Sequence, residues 1–186
     1  MKYSGYPVTL FVRGGIEPHG TDVLRHAYNL GLKIQDVVAK RPNLEQCMEV
    51  IQHTSSPNID IYNLRFFLPE EFVRTTYNAA DATLANSGHE PFGLVALEVM
   101  AAEGIAVTGS TGEDYAISFE NAIVTETEDP DEIVGYLLHL RRHPEEQERI
   151  RCAGRSTAEQ FLWDQVIENL VGKLEFLARK QDIQLS

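Results

Sequence analysis

Cysteine is scarce in this chain. Of its 186 residues only Cys47 and Cys152 are cysteines, far apart, with no CxxC pair and no histidine clustered beside them. That pattern excludes a disulfide scaffold and a zinc site of ordinary spacing, and it fits a reducing cytosol in which both thiols are buried or idle. Basic residues are also few: 16 Lys and Arg stand against 28 Asp and Glu, a formal net charge of -12. Nucleic acids and anionic membranes are gripped by basic faces, so neither is an expected partner, and any anionic ligand has to be held locally. Long hydrophobic runs are missing as well. The most apolar stretch, residues 94–102, is interrupted by Glu98 and is too short to cross a bilayer, and the opening MKYSGYPVTL has no apolar signal core. The expectation is a soluble, cytoplasmic protein with no integral membrane segment.

Several familiar motifs are absent too. Arg13-Gly14-Gly15 is neither GxGxxG nor Walker A and reads as a turn before it reads as a phosphate cradle. The GSTG at 109–112 is not the GxSxG of a serine nucleophile, and reads either as a loop near a ligand or as a simple connection. His19, His26, His53, His89, His139 and His143 have no metal-ligand spacing. Repeats and low-complexity tracts are lacking, so the chain reads as one domain without an internal linker.

What is present is an alternation of strand and helix signals. Residues 7–13 form a β-rich run stopped by glycines, and residues 21–32 carry helical apolar spacing that ends near Gly31. Residues 33–42 fit neither template. A helix is expected at 44–53, a strand at 59–64, a helix from Pro69 to about Ala80, a strand at ATLANS, and a helix from Pro91 to Gly104. Strands at 105–110 and 121–124 follow, and everything after Asp129 is helical. Such alternation predicts an α/β fold, a doubly wound parallel sheet with helices on both faces and a helical C-terminus. Ligands of that architecture sit outside the carboxyl ends of the strands. The last helix repeats Trp163, Val166, Ile167, Leu170, Val171, Leu174 and Leu177, a stripe that needs an apolar partner. Packing on the sheet is the first reading, and docking on another domain or chain the alternative.

The informative segment is 86–114, where Glu90 and Glu98 stand with seven residues between them around a helix start. Glu90 precedes the helix, where Phe92, Gly93 and Leu94 can present backbone N–H groups to an anion, and Gly93 lets a phosphate approach closely. Glu98 lies two turns inside among apolar neighbours. Its carboxylate is costly there if buried, unless something such as a ribose diol hydrogen-bonds to it. Capping plus a solvated face is an equally open reading of the two glutamates.

The run Glu90-Pro91-Phe92-Gly93-Leu94 through Glu98, Met100 and Ala101, led in by residues 77–81 and ATLANS, resembles the donor-binding half of GT-B glycosyltransferases, particularly the retaining family 4. The likeness runs from about Pro7 to Leu177. It implies a UDP-, GDP- or ADP-sugar donor, no metal and no other cofactor, and transfer with retention. Glu98 would bind the ribose and Glu90, as the catalytic residue, the donor sugar; the amides of Phe92, Gly93 and Leu94 would meet sugar and diphosphate. Phe67 and Leu68 fall where that family lines the base. The departures are equally specific. The family's first strand, with its Arg and Lys, is expected to be lacking, and Glu103 and Ala106 replace its usual small residue and proline. The acceptor-binding N-terminal domain is likewise expected to be lacking, so the chain alone is expected to transfer sugar poorly and to need that domain, a partner chain or self-association. A nonenzymatic binding or assembly module and a GT-B sugar-nucleotide epimerase remain as other classes.

Overall fold

The computed structural model describes residues 6–13, 23–40, 42–86 and 92–181. They form two units, Met1–Val73 and Arg74–Ser186, each built on its own three-stranded parallel sheet.

In the first unit, β1 (Leu10–Val12) and β2 (Ile34–Val37) flank β3 (Ile61–Leu64), with Ile61 opposite both Leu10 and Ile34. All four residues of β3 are buried, as a central strand requires. α1 (Val23–Asn29) ends at Gly31, whose φ of +74° is a left-handed stop that glycine adopts without a Cβ penalty. α2 (Leu44–Thr54) starts on a capping box: Gln46 N–H donates to Asn43 Oδ1 at 2.9 Å and Asn43 N–H returns to Gln46 Oε1 at 3.4 Å. Val37, Cys47, Tyr62, Leu64 and Phe72 make this unit's core, with Leu44, Val50 and Ile51 of α2 against them.

The second unit orders β4 (Thr83–Leu84), β5 (Ala106–Thr108) and β6 (Ile123–Val124) side by side. The helices around them are α3 (Glu70–Ala79, which begins in the first unit), α4 (Leu94–Ala101), α5 (Pro130–Arg142), α6 (Pro144–Ala158) and α7 (Trp163–Lys180). Residues on a strand alternate between faces. Ile105 and Val107 therefore pack with Leu140 of α5 and Ile150 of α6, while Ala106 packs with Ala96, Val99 and Met100 of α4. Helices thus cover both sides, the doubly wound arrangement expected. Gly154 lets α6 run close: a Cβ there would lie 2.9 Å from the Asn121 carbonyl oxygen.

Three expectations need correction. Residues 33–42 contain β2, whose exposed Gln35 and Asp36 break the apolar signature of a parallel strand. α4 starts at Leu94 and not at Pro91, because Gly93 takes φ +77°, ψ 55° and cannot be helical. Finally, the stripe of α7 does not pack on the sheet: Trp163 is 79% exposed and Leu174 55%, and Ala178 alone of the helix is buried. A 3-10 turn at Glu159–Phe161 and the extended Leu162 lead into it.

Both cysteines are unpaired. Cys47 is buried, and burial pushes its thiol up; Cys152 is exposed, and partial desolvation followed by Glu148 and Glu103 raises its thiol too. Neither has the depressed pKa of a reactive thiolate.

Candidate functional site

The second unit gathers its polar geometry at the carboxyl end of β5. There the chain leaves Thr108, makes a 3-10 turn at Ser110–Gly112 and lies against the start of α4. Gly93 is the contact. A Cβ on it would stand 2.7 Å from the Thr111 carbonyl oxygen, so position and backbone sign both call for glycine. Tyr115 fixes the same residue from another side, its hydroxyl donating to the Gly93 carbonyl. The Phe92 ring is an anchor more than a ligand surface, with ring centroids 5.3 Å from Tyr115 and 5.6 Å from Phe161. On the turn, Thr108 Oγ1 and Thr111 Oγ1 are 3.3 Å apart, and a Cβ on Gly112 would lie 2.9 Å from Thr108 Cγ2.

The result is a helix N-terminus held from two sides with no side-chain cap. Its first N–H groups and the positive end of its dipole are what an anion binds. Leu94 (62% exposed), Val95 and Glu98 share the outward face of α4, while Ala96, Leu97, Val99 and Met100 face inward. This corrects the expectation for Glu98. It is exposed, one turn along from the helix start, and a ligand can reach it without a desolvation cost. Phe92, Gly93, Leu94 and Glu98 are therefore brought together, whereas Glu90 lies outside the described residues, as do Gly14, Gly15 and His89.

Phe67 and Leu68 belong to the first unit, just past the carboxyl end of β3. Phe67 is 77% exposed, and Leu68 packs partly on the core beside Phe72. Next to them is a cluster that sequence reasoning missed. Asn63 Nδ2 donates to Asp36 Oδ1 at 2.7 Å and Arg65 Nη1 to Asp36 Oδ2 at 2.9 Å. The Arg65 hydrogen bond, and then that of Asn63, hold the Asp36 carboxyl below its ordinary pKa. A signal did exist: Asp36 and Asn63 are polar residues inside strands of a parallel sheet, where apolar runs are the rule. Among the described residues no three His, Cys, Asp or Glu side chains gather as a metal site would require, and no helix is long and apolar enough to cross a membrane.

Fold and site together define a parallel α/β protein of the doubly wound class with an open helix N-terminus at the carboxyl edge of a sheet. Residues 58–157, just over half the chain, match the family described as glycosyl transferases group 1, and the chain belongs to it. A D-inositol 3-phosphate glycosyltransferase of Thermomonospora curvata is 29% identical over 105 residues, which cover 55% of this chain and 24% of that protein. Among solved structures, the sucrose-phosphate synthase of Thermosynechococcus elongatus superposes with a TM-score of 0.60 at 19% identity, over 91% of this chain and 39% of that one. Anabaena HepE, solved with UDP and glucose, gives 0.55 at 14% identity, over 92% and 50%. A C-terminal domain of a group 1 glycosyl transferase from Francisella tularensis gives 0.54 at 20% identity, over 86% and 89%. The chain thus matches about a quarter of the curated relative and half or less of the two longer structures.

Proposed function

We propose that the N-terminal end of α4 is the donor site of a retaining, family 4 type glycosyltransferase, and that the chain acts with an acceptor-binding half. The observation that carries this reading is the uncapped start of α4, pinned by Thr111 and Tyr115, with Glu98 on the same exposed face. The diphosphate of a nucleotide sugar meets the amides of Phe92, Gly93 and Leu94, Glu98 accepts from the ribose hydroxyls, and Glu90 holds the donor sugar as the catalytic residue. As the sugar becomes oxocarbenium-like, negative charge collects on the leaving diphosphate. Preorganised N–H donors at that point lower the barrier without needing to reorient, and no metal is required of this chain. Efficient transfer needs a second wall to position the acceptor and exclude water. That HepE was solved with UDP and glucose supports the ligand class.

Calorimetric titration of UDP-, GDP- and ADP-sugars into the chain and into Glu98→Ala tests this. At least one donor should bind, and the variant should bind it about tenfold more weakly, the loss of roughly one charge-assisted hydrogen bond. Equal binding by both proteins would remove Glu98 from the site, and donor hydrolysis or epimerisation without acceptor would favour the epimerase class.

A further inference from the structure

Tyr115 carries a hydroxyl that its packing does not explain. The residue is 5% exposed, and its ring lies against Phe92 and Phe161 at centroid distances of 5.3 and 5.9 Å. A phenylalanine would fill that space with no polar group to satisfy. The hydroxyl donates to the carbonyl of Gly93, the residue that precedes α4. The other end of Tyr115 is held as firmly. Asn121, itself 5% exposed, donates through Nδ2 to the Tyr115 carbonyl at 2.8 Å and to Thr157 Oγ1 of α6 at 2.9 Å, and its Oδ1 accepts from the Ile117 N–H at 2.7 Å. A path of hydrogen bonds and one rigid ring therefore runs from α6 through Asn121 and Tyr115 to the start of α4, all of it inside the second unit.

The peptide between Gly93 and Leu94 is planar, and among the described residues none is cis. In a trans peptide the C=O and the N–H share one plane and point opposite ways. Whatever fixes the Gly93 carbonyl thus also fixes the Leu94 N–H, aimed away from the Tyr115 hydroxyl. A glycine needs such a clamp, because without a Cβ its backbone has the widest freedom to swing the neighbouring peptide planes. Donation to the carbonyl also polarises the peptide and makes its N–H a stronger donor. We infer that Tyr115 is a positioning residue of the donor site, its hydroxyl acting through the Gly93 carbonyl to orient the Leu94 N–H toward the diphosphate. The inference rests on the donor-site reading above and adds to it a residue that touches no ligand. Its effect is confined to the phosphate end of the donor, since the ribose falls to Glu98.

Calorimetric titration of pyrophosphate, UDP, GDP and ADP into the full chain and into Tyr115→Phe, Phe161→Leu and Glu98→Ala tests this. Circular dichroism confirms folding, and NMR follows the Leu94 amide signal. The chain should bind pyrophosphate and at least one of the nucleotides. Tyr115→Phe keeps the ring and removes the hydroxyl. It should weaken both ligands about three- to tenfold, the worth of one hydrogen bond, and should move the Leu94 amide signal of the free protein. Phe161→Leu loosens the packing and keeps the hydroxyl, so it should lower the melting temperature and leave both affinities nearly unchanged. Glu98→Ala should weaken the nucleotide but not pyrophosphate, which has no ribose. Equal binding by Tyr115→Phe, or an unmoved Leu94 amide, overturns the positioning role and leaves the α4 site standing. An unfolded Tyr115→Phe, or a loss of pyrophosphate binding as large in Phe161→Leu, makes the role one of packing and overturns it too. Failure of the chain to bind pyrophosphate or any nucleotide overturns this inference and the donor site together.

Discussion

At the scale of single residues, Gly93 carries the most. Its φ of +77° is disfavoured for any residue with a Cβ, and that Cβ would press to 2.7 Å from the Thr111 carbonyl oxygen, a backbone atom that cannot rotate away. Gly93→Ala should therefore cost about 1–3 kcal/mol, the scale of a forced left-handed residue, and should move the turn at residues 110–112 away from α4. Urea unfolding measures the first effect and nucleotide titration the second. An unchanged midpoint together with unchanged binding would show that the close approach is not needed. The sequence marked Gly93 as a place where a phosphate could approach the backbone; the close neighbour in the structure is the Thr111 carbonyl, which residue spacing alone does not show. Glu98 was legible in type and misread in setting. Its neighbours in the chain are apolar, but within the helix the spacing puts Leu94, Val95 and Ala101 beside it, and all three face outward. Asn63 and Asp36 were not legible as a pair, since their meeting depends on which strand lies next to β3.

At the scale of elements, one arginine ties three chain segments of the second unit together. Arg151 of α6 donates through Nη1 to the carbonyls of Asn78 and Glu103 at 3.0 and 2.7 Å, and through Nη2 to that of Ala80 at 2.9 Å. These carbonyls lie at the C-terminal ends of α3 and α4, where helix oxygens lack intrahelical partners and cations are favoured. The same contact explains Glu103. It sits at φ +59°, where a small residue is the usual choice, and its carboxylate meets Arg155 Nη1 at 2.7 Å. That half-exposed ion pair adds little by itself. Arg151→Ala should lower stability by about 1.5–3 kcal/mol, the worth of hydrogen bonds to a charged group, and Arg151→Lys should recover only a fraction because an ammonium lacks the fork that spans three acceptors. Denaturant midpoints for the two variants check this, and full rescue by lysine would mean that charge alone matters. None of this was visible beforehand. Caps in sequence neighbours, such as Asn43 with Gln46, can be read from spacing, whereas a cap supplied from more than seventy residues away cannot.

At the scale of the whole molecule, the unsettled feature is α7. Its stripe of Trp163, Ile167, Leu170, Leu174 and Leu177 follows a four-three alternation, the spacing of a helix that pairs with another helix, yet each of these residues is 49% exposed or more. The pattern was plain in the sequence because amphipathic spacing encodes a face. It does not encode the partner, which is why packing on the sheet was an expectation that failed. An apolar face of this length in water drives association with whatever surface can cover it, and at high concentration the available surface is the same helix on another copy. The chain on its own should therefore self-associate with rising concentration despite its net charge of -12, which opposes close approach and makes the effect stronger at higher salt. Sedimentation velocity across the micromolar range, at low and high salt, should show the shift, and Leu170→Gln with Leu174→Gln should abolish it while leaving the cores of both units intact. A monomer at every concentration and salt would mean that the stripe does not pair with itself, and the acceptor-binding half proposed above would become the surface to test against it.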